Sequence, residues 1–127
     1  MPDPVILFYS PTSVPYLPKL RQLCALQGIR LRIMEAADLD RTLSALVQGL
    51  RPSEPPKAGE ALPEPLLVFC HFTDKGLDRT LLSLRRMEAF CLKAVLTPTN
   101  AAWTLRALYK ELCSERSQLG TAHPPKA

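Results

Sequence analysis

The sequence predicts a single three-layer α/β domain, in which four mainly parallel strands in the order 2-1-3-4 alternate with four helices. Three observations lead to this prediction. Short apolar runs rich in β-forming residues are each followed by a segment whose leucines recur at helical spacing. Strands and helices that alternate along a chain are typical of a parallel sheet with helices on its faces. The length of 127 residues suits one domain.

The first half contains two predicted strands and two predicted helices. Val5–Tyr9 is apolar throughout, as expected for a central strand, and Arg30–Met34 alternates like a strand at the sheet edge. The first helix is indicated by a leucine stripe over 17–24, with Pro18 in its first turn and Gly28 just past its end. We expect Asp38 to cap the second helix, whose stripe covers 39–47.

A proline-rich stretch, residues 51–65, separates the two halves and holds five of the thirteen prolines. Proline excludes a regular helix here, so an extended, mobile connection is expected. Each half is too short to be an independent domain. The predicted organisation is therefore one α/β domain over 4–116, followed by a flexible tail over 117–127.

The second half repeats the pattern of the first. A strand over 65–70 is followed by a helix that Thr73 can cap, then a strand over 91–96 and a last helix that begins after 97–100. The likeness is one of pattern more than identity, and both duplication and convergence explain it. An alternative fold is a ferredoxin-like sheet of two β-α-β units, because the long connection could reverse the strand direction.

Composition and charge argue against several classes of function. A net charge of +4 spread along the chain, with 6% aromatic residues, is a weak footprint for a nucleic-acid binder. The four cysteines form no CxxC pair, so neither a zinc site nor a thioredoxin-type redox motif is indicated, and no metal or cofactor is expected. No apolar run is long enough to cross a membrane, and no signal peptide is visible. A reducing cytoplasm is the expected location.

Ligands of parallel α/β sheets bind beyond the carboxyl ends of the strands, here expected between the first and third. The loops 10–13, 70–74 and 97–100 are the candidates. The last is the most distinctive, because Thr97, Thr99 and Asn100 offer polar side chains where a helix begins, and Trp103 lies one turn further on. Such a helix start can hold an anion, and the indole can stack on a ring. The ordinary interpretation is a helix cap followed by a core tryptophan.

Other side chains are weaker candidates. Cys70 and His71 suggest a thiolate with its base, but neighbours on a strand point to opposite faces, so a buried, inert thiol is favoured. Lys93 is expected to be solvated and distant from the 97–100 loop. Asp38 and Asp74 are interpreted as helix-capping acids.

The segment 93–103, Lys-Ala-Val-Leu-Thr-Pro-Thr-Asn-Ala-Ala-Trp, resembles an element of the bacterial domain-of-unknown-function family DUF3783, as does the leucine and tyrosine pattern over 105–112. The first strand, the helix end at Gly28 and the segment 65–72 are similar too, so the resemblance covers most of 4–115. Within it, the family element matches Thr97, Pro98, Thr99, Asn100 and Trp103. The resemblance implies small, uncharacterised α/β proteins and no known activity, cofactor or partner.

These observations favour a non-enzymatic binding or regulatory module, whose loop and helix start over 97–103 hold an anionic ligand or a partner peptide. One alternative is a small cytoplasmic enzyme with a site at the strand ends that involves Cys70. Another is a homodimeric structural protein that pairs through the edge strand Arg30–Met34.

Overall fold

The computed structural model describes residues 3–49 and 60–119. In chain order the elements are β1 (Val5–Tyr9), α1 (Leu17–Gln27), β2 (Arg30–Met34), α2 (Leu43–Gln48), β3 (Leu66–Cys70), α3 (Asp74–Arg86), β4 (Leu92–Val95) and α4 (Leu105–Leu119). Short 3-10 helices, Ala36–Asp38 and Asn100–Ala102, precede α2 and α4. The predicted alternation of strands and helices is confirmed.

The four strands form one sheet in the predicted order β2-β1-β3-β4, but the expectation of mainly parallel strands is wrong for the central pair. β1 is parallel to β2 and β3 is parallel to β4, whereas β1 and β3 are antiparallel. A helical crossover within each half keeps its two strands parallel. The long connection between the halves imposes no such restriction on the third strand.

Helices cover both faces of the sheet, which distinguishes the fold from the ferredoxin-like alternative. On one face, side chains of α1 and α3, including Leu20 and Leu84, pack against Phe8 and Phe69. On the other face, α2 and α4 pack against the alternate side chains of the same two strands, including Leu7. Every residue of β1 and β3 is buried, as expected for strands covered on both sides.

The two halves end their first helices in the same way. The N–H of Ile29 donates to the carbonyl of Cys24 at 2.8 Å, and the N–H of Ala89 donates to that of Leu84 at 2.9 Å. These bonds are typical of a helix end with a left-handed residue just before the donor. That residue is Gly28 (φ +68°) in the first half and Glu88 (φ +58°) in the second.

The starts of α2 and α4 are equivalent too, and they contact each other. The residues that cap them, Thr42 and Thr104, pair in an antiparallel bridge. Leu43 N–H donates to the carbonyl of Trp103 at 2.9 Å, and Leu105 N–H donates reciprocally to that of Arg41 at 3.2 Å. The halves are thus β-α-β-α units related by an approximate two-fold axis, which passes near the centre of the β1–β3 pairing. The internal repeat of the sequence is a structural repeat.

The end of the proline-rich connection is attached to the domain. The Tyr9 hydroxyl accepts a hydrogen bond from the Leu62 N–H at 3.1 Å, and Leu62 is buried. Glu64 accepts bonds from Arg116 at 2.7 Å and from Tyr109 at 3.2 Å. Leu62 is therefore held against β1, and Glu64 is held against α4. Residues 51–59 of the predicted connection and 120–127 of the predicted tail lie outside the described residues, and α4 continues to Leu119.

Substitutions of the left-handed residues at the two helix ends are expected to have opposite effects on stability. Glu88→Gly is expected to raise the free energy of unfolding by about 1 kcal/mol, because glycine adopts positive φ without the steric cost of a Cβ. Gly28→Ala is expected to lower it by a similar amount, and this effect is conformational because no atom lies within 4 Å of the added Cβ. Chemical denaturation measures both changes.

Glu88→Ala is the matched control, since it removes the carboxylate but keeps a Cβ at positive φ. It should leave the unfolding free energy nearly unchanged. Stabilisation by alanine equal to that by glycine would assign the effect to the charge and contradict the prediction.

Candidate functional site

The antiparallel centre of the sheet changes where the candidate loops lie. β1 and β3 end at opposite edges, so the crevice expected between their carboxyl ends does not form. β3 and β4 are parallel, so residues 71–73 and 96–100 leave the sheet at one edge, which we call the β3–β4 edge. The loop 10–13 lies at the opposite edge. Two of the three candidate loops therefore remain neighbours.

The loop 97–100 is held by two reciprocal hydrogen bonds. Asn100 Oδ1 accepts from the Thr97 N–H at 2.8 Å, and Thr97 Oγ1 accepts from the Asn100 N–H at 3.1 Å. Asn100 Nδ2 also donates to the carbonyl of Val95 at 3.0 Å, and Asn100 is buried. Asn100 therefore fixes the loop from inside, while Thr97 and Thr99 are exposed to solvent.

The first half contains the same turn with a different charge. There Asp38 Oδ2 accepts from the Glu35 N–H at 2.9 Å, and the Glu35 side chain accepts from the Asp38 N–H. Asp38 thus closes this turn and pairs with Arg41, while Thr42 caps α2, so the expectation that Asp38 caps that helix is wrong. The equivalent loops carry two carboxylates in one half and two neutral side chains, Thr97 and Asn100, in the other.

Trp103 lies between the 3-10 helix and α4. Its side chain is half-buried and packs against the core that α2 and α4 cover. The long helix begins at Leu105, where Thr104 Oγ1 accepts from the Ala107 N–H at 3.1 Å. The helix start that was expected beside Asn100 is therefore a single 3-10 turn, and the dipole of α4 begins five residues further on.

The burial of Cys70 separates it from His71. The Cys70 side chain is fully buried in the core beneath α2 and α4, and this burial raises the pKa of its thiol to about 12. Burial also raises the pKa of Cys24, to about 11. His71 is exposed and adopts a left-handed backbone conformation (φ +62°) just after β3 ends. The two side chains do not form a thiolate and base pair.

Lys93 is not solvated in the way the sequence suggests. It is half-buried, and its Nζ donates to the carbonyl of Cys91 at 3.2 Å. Cys91 is itself partly buried, and desolvation raises the pKa of its thiol despite the nearby Lys93 charge, which lowers it. Neither side chain lies at the β3–β4 edge.

A second feature of the β3–β4 edge escaped sequence reasoning. On the face covered by α1 and α3, a groove of about 250 Å³ lies between the end of α1 and the start of α3, and we call it the α1–α3 groove. Its lining includes Ile29, His71, Phe72 and Arg79. These residues belong to separate elements, and no sequence spacing connects them. A lone histidine after a strand was the only available signal.

The described residues contain no group of three or more His, Cys, Asp or Glu side chains that could hold a metal ion. Across the same two ranges, 3–49 and 60–119, we find no helix with both the length and the apolar character needed to cross a membrane.

Comparison with known protein families gives a match in the second half of the chain. Residues 65–119 match the family model described as a domain of unknown function (DUF3783). These residues are the second β-α-β-α unit, from the residue before β3 to the end of α4. The resemblance noted over the loop 97–103 is thereby confirmed for this half. No curated protein and no solved structure matches the chain.

The burial of the thiols predicts a pattern of alkylation. Cys70 and Cys24 should react with iodoacetamide at least about a hundredfold more slowly in the native protein than in denaturant, because the thiolate is both rare and inaccessible. Mass spectrometry of the digested protein measures the rate at each cysteine. Cys113, which is only partly buried, serves as the internal control and should react sooner. Native alkylation of Cys70 as fast as in denaturant would contradict its burial.

Proposed function

We propose that this chain, whose residues 65–119 match the DUF3783 family model, is a non-enzymatic binding or regulatory module. The proposed site is the loop 97–103 at the β3–β4 edge. Its ligand is an anionic group, carried by a small molecule or by a partner peptide. In this proposal Thr97, Thr99 and Trp103 contact the ligand, and Asn100 positions the loop.

The observation that carries the proposal is a fixed loop with an open surface. The hydrogen bonds between Thr97 and Asn100 set its shape without using the Thr99 hydroxyl, and the residues 97–99 stay exposed. A site whose shape is set before binding loses less conformational entropy when the ligand arrives. Trp103 adds a half-exposed aromatic surface nearby.

Charge supports an anionic ligand at this loop rather than at its counterpart. The equivalent turn of the first half places the carboxylates of Glu35 and Asp38 where the second half has neutral side chains. An anion would be repelled by the first loop and not by the second. Of the two structurally equivalent turns, only the one over 97–100 is compatible with such a ligand.

The state of Cys70 favours binding over the thiol-enzyme alternative. A nucleophilic cysteine reacts as the thiolate and needs access to its substrate. Cys70 is fully buried with a raised pKa, so it meets neither condition. For location we propose the cytoplasm of a bacterium, and the four free cysteines fit a reducing compartment.

Trp103 is the only tryptophan of the chain, so its fluorescence tests the proposed site directly. We expect a saturable change in emission with at least one of inorganic phosphate, AMP and succinate. Thr99→Ala should weaken the binding of that ligand about tenfold, because the substitution removes an exposed hydroxyl donor. The titration is repeated on both proteins at the same ionic strength.

Thr12→Ala is the matched control, because Thr12 is an exposed threonine in the loop at the opposite edge of the sheet. It should bind like the unmodified protein. Emission that no probe changes, or equal affinity of the Thr99→Ala variant, would count against the loop as the site.

A second candidate, a homodimer, is favoured by the position of β2. This strand lies at the sheet edge, and Ile33 on it is 39% exposed. Edge pairing predicts twice the monomer mass in light scattering, and a return to the monomer mass in Ile33→Lys, because a lysine on an edge strand disfavours pairing. A monomer at high protein concentration would exclude this candidate.

A further inference from the structure

The α1–α3 groove has an apolar floor and a polar rim. Pro4, Ile29 and Phe72 line it, and the Phe72 ring is fixed edge-to-face against the core residue Phe69 at 5.4 Å between centroids. The volume of about 250 Å³ lies below the range for drug-sized ligands. The groove therefore suits a molecule of about ten non-hydrogen atoms with an apolar body.

The groove exists because the second half departs from the two-fold repeat. When α1 and α3 are aligned on their equivalent ends, Gly76 and Thr80 of the groove correspond to Tyr16 and Leu20. Both residues of the first half are buried, and the Tyr16 ring packs against Phe8 at 6.0 Å. Large side chains thus fill this position in one unit, and small ones leave it open in the other.

The two threonine hydroxyls of the groove are already engaged in hydrogen bonds, whereas the Arg79 guanidinium at its rim is not so engaged within the described part of the chain. The Thr80 hydroxyl donates to the carbonyl of Gly76 at 2.8 Å, and Thr73 Oγ1 accepts from the Gly76 N–H at 3.0 Å. Arg79 is exposed and forms none of the three ion pairs found within 3–49 and 60–119. An unpaired guanidinium beside an apolar floor suits a carboxylate, which it can bind through two parallel hydrogen bonds.

The charge of the surrounding helices has the matching sign. α1 carries two cationic residues and no acidic one, and α3 carries four cationic and two acidic ones. This excess attracts anions towards the layer on which the groove opens. His71 adds an exposed imidazole at the rim, held there by a backbone of positive φ.

We infer that the α1–α3 groove binds a small organic carboxylate, whose apolar body lies on Ile29 and Phe72 and whose carboxylate pairs with Arg79. This site is distinct from the loop 97–103, because the groove opens on the α1 and α3 face while Trp103 packs on the opposite face. The inference does not depend on the function proposed for that loop.

Two-dimensional ¹⁵N–¹H NMR with phenylacetate as the probe tests the inference. The amide signals of Ile29, His71 and Arg79 should shift saturably with an affinity of roughly millimolar strength, as expected for about ten non-hydrogen atoms. Phenylacetamide has the same shape without the charge, and it should bind at least about tenfold more weakly. Trp103 fluorescence recorded on the same samples reports any binding at the loop 97–103 separately.

Arg79→Gln should weaken phenylacetate about tenfold, because it removes the charge that pairs with the carboxylate. Arg86→Gln is the matched control, since it removes the same charge from the same helix at an exposed position outside the groove lining, and it should bind like the unmodified protein. Both side chains are exposed, and the NMR spectrum reports whether each variant is folded.

Three results would overturn the inference. The first is the absence of a saturable shift of the groove signals at about 20 mM phenylacetate, well above the expected affinity. The second is equal binding of phenylacetate and phenylacetamide. The third is equal weakening by Arg79→Gln and Arg86→Gln, which would mean a general attraction of the helix layer and no paired carboxylate.

Discussion

The antiparallel pairing of β1 with β3 determines most of the architecture. Its register is centred on Leu7 and Val68, and each strand is buried on both faces. A β-α-β-α unit alone would leave one of these strands as an exposed, apolar edge, which is a liability for a protein in water. By pairing the two apolar strands with each other, the fold places the more polar β2 and the short β4 at the edges. The same pairing brings the starts of α2 and α4 together in the Thr42–Thr104 bridge.

This dependence gives a physical meaning to the extent of the family match. The match covers the second unit, whose β3 edge and inner helix faces are buried against the first unit. The first unit supplies the same kind of surface through β1, α1 and α2. In two-fold assemblies, each unit buries a surface that is complementary to the same surface of its equivalent. The matched residues therefore form only part of the buried core of this chain.

The strand order and most helix positions were predictable because they follow from local patterns. Continuous apolar runs marked β1 and β3 as central, and the glycine after α1 marked its end. The direction of β3 was not predictable, because apolar periodicity reports which residues are buried and not the end from which a chain enters the sheet. That error displaced the expected crevice. Within the loop 97–103 the sequence indicated polar side chains. It did not reveal that the Asn100 side chain is buried and uses its hydrogen bonds to hold the loop.

The two-fold repeat also separates what the fold requires from what a function can add. Features present in both units, such as the left-handed helix ends at Gly28 and Glu88, serve the fold. Glu88 adopts this conformation without being glycine, which indicates that the packing of α3 determines it. Features that differ between the units are free of that requirement. Thr97 and Asn100 replace two carboxylates, and Gly76 and Thr80 replace Tyr16 and Leu20. Both departures occur in the second unit. One replaces two carboxylates with neutral side chains and the other replaces large side chains with small ones, so both favour the anionic ligands proposed for that unit.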